Sequence, residues 1–155
     1  MAFPLPVCPS ALALDIDGTI TTADQRLVFD LVQSARGLGA HVAINTARQQ
    51  AYCEQPDTLT TRLTAREHHY CAHAWFMYNA FIADIPKVKV ANMEAIAQAA
   101  GVQRPECALL IDDRPENVAA VNRAGYTGIL VNQRSGITRN IAQGILERLC
   151  ACRAR

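Results

Sequence analysis

The chain has 155 residues and a mass of 16.9 kDa, is half hydrophobic, and carries a formal net charge of +1 from 15 Lys+Arg against 14 Asp+Glu. That is the length of a single domain, residues 1–155, with apolar material for a core. The balance excludes intrinsic disorder and argues against a nucleic-acid-coating or membrane-surface protein. No apolar run approaches the ~18 residues of a membrane span, and Met1–Ser10 lacks the basic start of a secretory leader, so a cytoplasmic protein is expected.

In chain order, Ala11-Leu12-Ala13-Leu14 is a short apolar run ending at Asp15, which suits a strand buried on both faces. Leu27, Val28, Leu31, Val32 and Ala35 recur at helical spacing, so Arg26–Leu38 is expected as a helix stopped by Gly37 and Gly39. Val42-Ala43-Ile44 reads as a second buried strand, ending at Asn45-Thr46. From Ala47 to about Leu63 a helix is expected that breaks at Pro56 and resumes for a turn. His68–Ala74 is ambiguous, and Trp75–Tyr78 with Phe81-Ile82 suggests a strand or hairpin that serves core or interface.

Val90–Ala100 forms a helical face of Met93, Ile96, Ala97 and Ala100, with Gly101 beyond its end. Ala108–Ile111 is a third buried strand, ending in Asp112-Asp113. Pro115–Ala124 reads as a helix, Thr127–Val131 as a strand and Ile137–Cys150 as a closing amphipathic helix. Strands alternating with helices predict an α/β fold with a parallel sheet and right-handed crossovers. Ligands of such sheets lie beyond the carboxyl ends of the strands. Polar residues cluster there after three strands: Asp15 and Asp17, then Thr46, then Asp112 and Asp113.

The six cysteines (Cys8, Cys53, Cys71, Cys107, Cys150 and Cys152) are scattered without a paired framework and are expected as reduced thiols. His68, His69, Cys71 and His73, with Cys53 upstream, are zinc-type ligands, but no Cys-x-x-Cys pair accompanies them. The simpler reading is a polar loop near a site mouth.

The sharpest local feature is Asp15-Ile16-Asp17-Gly18-Thr19. Two carboxylates two residues apart at a strand end are costly if merely buried, and tolerable beside a cation or water. Each later feature has an ordinary alternative: Thr46 a helix cap, Lys87 and Lys89 solvated lysines, Asp112-Asp113 an acidic helix start. Their order, each at a strand end or helix start, is what chance does not supply.

In these segments the sequence resembles the haloacid dehalogenase (HAD) superfamily of phosphohydrolases, from about Ala11 to Val131. The first motif stands as Asp15-Ile16-Asp17-Gly18-Thr19, the second as Val42-Ala43-Ile44-Asn45-Thr46, and the fourth as Leu109–Asp113 continuing to Arg114-Pro115-Glu116-Asn117. The third is a lysine opening a helix. Lys89 lies 12 residues before Gly101 and Lys87 lies 14 before it; both spacings occur in the family, and the first is preferred.

The resemblance implies a three-layer α/β/α Rossmann-like fold around a parallel sheet, and a magnesium-dependent phosphomonoester hydrolase. Asp15 would be the nucleophile that becomes an aspartyl phosphate. Asp17 would protonate the leaving alcohol and then activate water. The backbone carbonyl of Asp17 would join Asp15 and Asp113 around Mg²⁺, and Asp112 would orient the lysine or a metal-bound water. Thr46 and Lys89, with Gly18, Ala47 and Arg48 around them, would bind the phosphoryl group. The family often has an acid where Asn117 stands, which puts that position's coordination in doubt.

Asp17 also separates phosphatases from true dehalogenases, which need no proton donor for a halide. The gaps Ile20–Ala40 and Ala47–Pro86 leave no room for a large cap, so the arrangement resembles the small capless magnesium-dependent phosphatases. An open site admits a small or macromolecular phosphorylated substrate, or a neighbouring subunit of a homo-oligomer. Two alternatives stay open: a polynucleotide or nucleotide end phosphatase, against which the near-neutral charge stands, and a non-catalytic interaction module of the same fold.

Overall fold

The computed structural model describes residues 8–72 and 84–153. Five strands, β1 (Ser10–Leu14), β2 (Ala40–Gln49), β3 (His69–Ala72), β4 (Ala108–Asp112) and β5 (Thr127–Leu130), form one sheet ordered β3-β2-β1-β4-β5, with every pair parallel. Helices α1 (Gln25–Gly37), α2 (Gln50–Glu54), α3 (Thr58–Leu63), α4 (Ile85–Ala100), α5 (Pro115–Arg123) and α6 (Arg139–Arg153) accompany it. This is the α/β fold with a parallel sheet that the alternation of elements predicts, in the three-layer Rossmann-like arrangement that the resemblance implies.

Alternation along the strands divides the core. Leu12, Leu14, Val42, Ile44, Leu109 and Ile111 face one way, onto Val28, Leu31 and Val32 of α1 and Ile145 and Leu149 of α6. Ala11, Ala13, Ala43, Ala108 and Leu110 face the other way, onto Met93, Ile96 and Ala97 of α4 and Val121 of α5. Small residues on that second face leave room for α4, the helix that carries Lys89 into the molecule. A buried Leu or Ile is worth about 1.5–3 kcal/mol of apolar transfer, so these two layers carry most of the fold's stabilisation.

Three expectations are corrected. The segment Ala47–Gln49 continues β2 instead of starting a helix, because after a register irregularity Gln49 pairs with Ala72 of β3. The helices then fall on either side of Pro56, as α2 and α3, with Asp57 capping the second through Thr60 N–H at 3.1 Å. Helix α4 starts at Ile85, not Val90; Pro86 sits in its first turn, where a missing N–H costs nothing, so Lys87 and Lys89 lie within the helix.

The third correction concerns the cysteines expected as free thiols. Cys53 is bonded to Cys71 and Cys107 to Cys152, with Cα atoms 6.1 and 5.9 Å apart, while Cys8 and Cys150 are free. The pairs span 18 and 45 residues of sequence, so no local spacing announces them. The first ties α2 to β3, and the second ties the end of α6 to the turn before β4. The strand or hairpin expected at Trp75–Tyr78 and Phe81-Ile82 lies outside the described residues. Among the described residues no helix is long and apolar enough to cross a membrane.

Candidate active site

The strand order reverses direction at β1: the chain moves outward through β2 and β3, then returns to place β4 on the other side of β1. A crevice opens at such a point, beyond the carboxyl ends of the strands. Asp15 sits there, its N–H still bonded to Ile111 O at 3.0 Å, so the first acidic residue continues the β1–β4 ladder by one step. The chain then turns back in a tight loop, with Thr19, Ile20 and Thr21 N–H groups all directed at Ile16 O. Gly18 has φ 75°, and a Cβ there would stand 2.5 Å from Asp113 Oδ2. Glycine therefore serves both the left-handed turn and the close approach of the β4 carboxylate.

Lys89 is the centre of the buried network. Its ammonium, 1% exposed, lies 2.6 Å from Asp15 Oδ1, 3.0 Å from Asp112 Oδ2 and 2.7 Å from Asn45 O. Three acceptors thus meet its three donors. Lys87, two residues earlier, is exposed and, among the described residues, pairs with Asp84 at 3.9 Å. The geometry thus brings the lysine at spacing 12 to the strand ends and leaves the one at 14 on the surface.

The remaining groups divide by what they touch. Thr19 Oγ1 donates to Asp15 Oδ2 at 3.2 Å. Asp112 accepts from Arg114 N–H at 2.9 Å and from Asn117 Nδ2 at 3.2 and 3.3 Å, so its carboxylate is fully engaged and buried. Thr46 is buried, and its Oγ1 accepts from Arg48 N–H at 3.1 Å, leaving the hydroxyl proton to donate elsewhere. Asp17 is exposed and gripped by Arg48, Nε to Oδ2 at 3.0 Å and Nη2 to Oδ1 at 2.7 Å.

Electrostatics follows from burial. Desolvation pushes the Asp15 carboxyl up from 3.8 to about 6; Lys89 pulls it down and the nearby Asp112 charge adds to the rise. The opposite holds for Asp17, where the hydrogen bonds from Arg48 keep the carboxyl below its usual range. Arg48 is in turn held even more firmly protonated by Asp17 and Asp57.

Asp15, Asp112 and Asp113 each offer a carboxylate oxygen, and these atoms lie within 4.8 Å of one another. One ammonium against three carboxylates leaves an excess of negative charge in a largely buried place. Asn117 Oδ1 is also buried, without a hydrogen-bond partner. An all-oxygen donor set with surplus negative charge fits a hard divalent cation such as magnesium.

Asp15, Asp17, Gly18, Thr46, Ala47, Arg48, Lys89 and Asp113 line one cavity of about 410 Å³. The candidates of the first, second and fourth motifs and Lys89 are therefore at this crevice, Asp112 beneath it, and Lys87 is not. Sequence reasoning missed Gln133 and Ile85, which complete the wall, and Asn45 and Asn92 behind it. Asn45 Nδ2 donates to Lys89 O at 3.0 Å and its Oδ1 accepts from Asn92 Nδ2 at 3.0 Å, so this amide bridge fixes α4 against β2. A polar Asn45 at the end of an apolar strand was the available signal; Gln133 offered none.

Among the described residues the histidine-rich segment forms no metal cluster, and His69–Ala72 is strand β3 where a polar loop was expected. Cys53 and Cys71 are consumed by their disulfide, and His69 Nε2 lies 3.3 Å from Thr64 O, while His73 is outside the described residues. His68 packs edge-on against His41, with ring centroids 4.5 Å apart.

No protein-family model matches the chain, and no curated protein matches it. Among solved structures it is similar to an uncharacterized protein from Corynebacterium glutamicum, at 17% identity over 90% of this chain and 94% of that one, with a TM-score of 0.63. It is also similar to a HAD family hydrolase from Deinococcus radiodurans R1, solved with bound phosphate and sodium, at 16% identity over 92% and 89% of the two chains, with a TM-score of 0.49. The first of these likenesses establishes a shared fold.

Proposed function

We propose that this protein is a magnesium-dependent phosphomonoester hydrolase of the HAD type that works through Asp15. The observation that supports it most is the convergence of Asp15, Asp113 and Lys89 on one crevice, with Asp15 and Lys89 2.6 Å apart and a carboxylate oxygen of Asp113 within 4.8 Å of one from each of Asp15 and Asp112. Bound Mg²⁺ would sit among Asp15, Asp113 and the Asp17 carbonyl and offset the repulsion between carboxylate and phosphate.

The protein's own groups then supply the chemistry. An Asp15 oxygen attacks phosphorus; the Asp15–phosphorus bond forms as the bond to the ester oxygen breaks. Asp17, whose contacts with Arg48 favour the anion, would take up a solvent proton and leave that fork before giving the proton to the departing oxygen, and the alcohol leaves. Water then attacks the aspartyl phosphate, Asp17 takes that water's proton, and inorganic phosphate departs with Asp15 restored. Thr46 Oγ and the Lys89 ammonium, one of whose protein contacts would give way to the substrate, hold the phosphoryl oxygens and stabilise the charge spread over them at the transition state. Asp112, already bonded to Lys89 and Asn117, keeps the ammonium aimed.

The site is read as capless. Between β1 and α1 the chain holds only the turn and the α1 cap, and the described residues between β2 and α4 are α2, α3 and β3 with their connections. An uncovered crevice suits a phosphorylated substrate of small or large size. The test is phosphate release from a broad panel of phosphomonoesters by wild type and Asp15→Asn, with and without Mg²⁺. Release that needs Mg²⁺ and disappears in a folded Asp15→Asn protein is expected. Retained turnover in that variant would remove Asp15 as the nucleophile.

A further inference from the structure

The crevice does not end at Asp113. On its β5 side a second cavity, of about 500 Å³, opens beyond the strand ends, lined by Asp113, Leu130, Val131, Asn132, Gln133 and Arg134. Asp113 and Gln133 line both spaces, so the two adjoin. The phosphoryl chemistry at Asp15 and Lys89 makes no use of the second one. A phosphate ester bound there still has an alcohol part to place, and this cavity lies next to it.

The loop that walls the second cavity is firmly built. Val131 N–H extends the β4–β5 ladder to Asp112 O at 3.0 Å. Asn132 O accepts Gly136 N–H at 2.7 Å and Asn132 Oδ1 accepts Arg134 N–H at 2.8 Å, closing a tight turn. Ile137 N–H donates to Thr19 O at 3.1 Å, which ties this turn to the loop that carries Asp15 and Asp17. Gly136, at φ 59°, approaches Thr19 O so closely that a Cβ would collide with it. Gln133 and Arg134 thus leave the backbone at fixed points beside Asp113, with their side chains exposed.

The fold makes little use of those side chains. Leu130 is 46% exposed, the one exposed large hydrophobic residue among the described residues. Of the arginines at the two cavities, Arg48 pairs with Asp17 and Asp57 and Arg114 with Glu116, whereas Arg134 pairs with no carboxylate among the described residues. A guanidinium presents a planar fork of donors that matches a carboxylate or a phosphate. Apolar surface and an unneutralised fork on one wall suit a ligand with an apolar body that ends in an oxyanion.

We propose that Leu130–Arg134 form a leaving-group subsite, and that the preferred substrates are phosphomonoesters whose alcohol part has an apolar stretch ending in a second oxyanion. The inference rests on the phosphatase reading above and narrows its substrate class. Leu130 and Val131 cover the apolar stretch, and Arg134 binds the far anion. Because that anion lies away from the reacting phosphorus, Arg134 contributes to KM and not to kcat.

Three esters of equal chain length test this: hexyl phosphate, the phosphate ester of hydroxyhexanoate, and hexanediol bisphosphate. Wild type is expected to show a lower KM for the anionic esters than for hexyl phosphate, and the larger of the two preferences tells whether the second group is a carboxylate or a phosphate. Arg134→Gln should reduce the preference about three- to tenfold with kcat unchanged, and Arg134→Lys should keep part of it. Leu130→Asn should raise KM for all three esters alike, about threefold. Arg148→Gln removes the same charge at the opposite edge of the sheet, beside Cys107 and Thr127, and should leave the preference as in wild type. No preference in wild type, a preference that Arg134→Gln leaves within twofold, or an equal loss in Arg148→Gln would overturn the inference while leaving the phosphatase reading intact. No magnesium-dependent release by wild type from these esters or from 4-nitrophenyl phosphate would overturn both.

Discussion

Replacing Lys89 with methionine tests the electrostatic core of the site. The variant keeps the apolar stem in its slot beneath the sheet ends and removes the ammonium from three acceptors at 2.6, 2.7 and 3.0 Å. Asp15 and Asp112 are then left as buried neighbours with no cation between them. Breaking a buried pair by deleting one partner costs about 3–5 kcal/mol. At about 2–4 °C per kcal/mol for a chain of this size, the midpoint should fall by roughly 6–20 °C in cation-free buffer at pH 7.

The sign of the pH effect distinguishes this cause from lost packing. The folded carboxyl of Asp15 titrates near 6, above its ordinary 3.8. Its stabilising contribution is thus complete below about 3.8 and lost as pH rises through about 6. Lys89 is what holds that value down, so without it the folded carboxyl rises further and takes up a proton more readily. The deficit of Lys89→Met should therefore shrink between pH 7 and pH 5. Added Mg²⁺ should also restore part of it at pH 7, since a bound ligand at 100 times its Kd adds about 2.7 kcal/mol. Urea unfolding of both proteins at the two pH values, with EDTA or Mg²⁺, reads all of this. A variant as stable as wild type at pH 7, or a deficit equal at both pH values, would refute the reasoning.

Other outcomes follow from particular contacts. Gly18→Ala puts a Cβ 2.5 Å from Asp113 Oδ2 at φ 75°, so stability should drop by about 1–2 kcal/mol and magnesium affinity, read by calorimetry, should weaken. Burial holds the His41 and His69 imidazoles below 6.5, which contributes stability above that pH and loses it as pH falls through the folded values. Urea midpoints from pH 7.5 to 5 should consequently decline more steeply in wild type than in His69→Gln. The Cys107–Cys152 bond closes 45 residues of chain and the Cys53–Cys71 bond 18, worth about 4 and about 3 kcal/mol by loop entropy. Thermal melts of Cys152→Ser and Cys53→Ser should rank in that order, and equal midpoints with wild type would show the bonds to be absent in solution.

The sequence by itself determined the sheet and its chemical edge. Apolar runs such as Ala11–Leu14 and Ala108–Ile111 suit buried parallel strands, and the polar residues that end such strands then share one edge of the sheet. That is why Asp15, Thr46 and Asp113 were legible as neighbours. Tertiary structure decided what depends on long-range pairing. Pairing of Gln49 with Ala72 drew Ala47–Gln49 into β2, and small residues on one sheet face let α4 bring Lys89, not Lys87, to Asp15. Likewise Cys53 met Cys71, and Arg48 found both Asp17 and Asp57, across separations that carry no local periodicity. Period and propensity act over a few residues, whereas these contacts are set by how finished elements pack, and only the assembled fold contains that information.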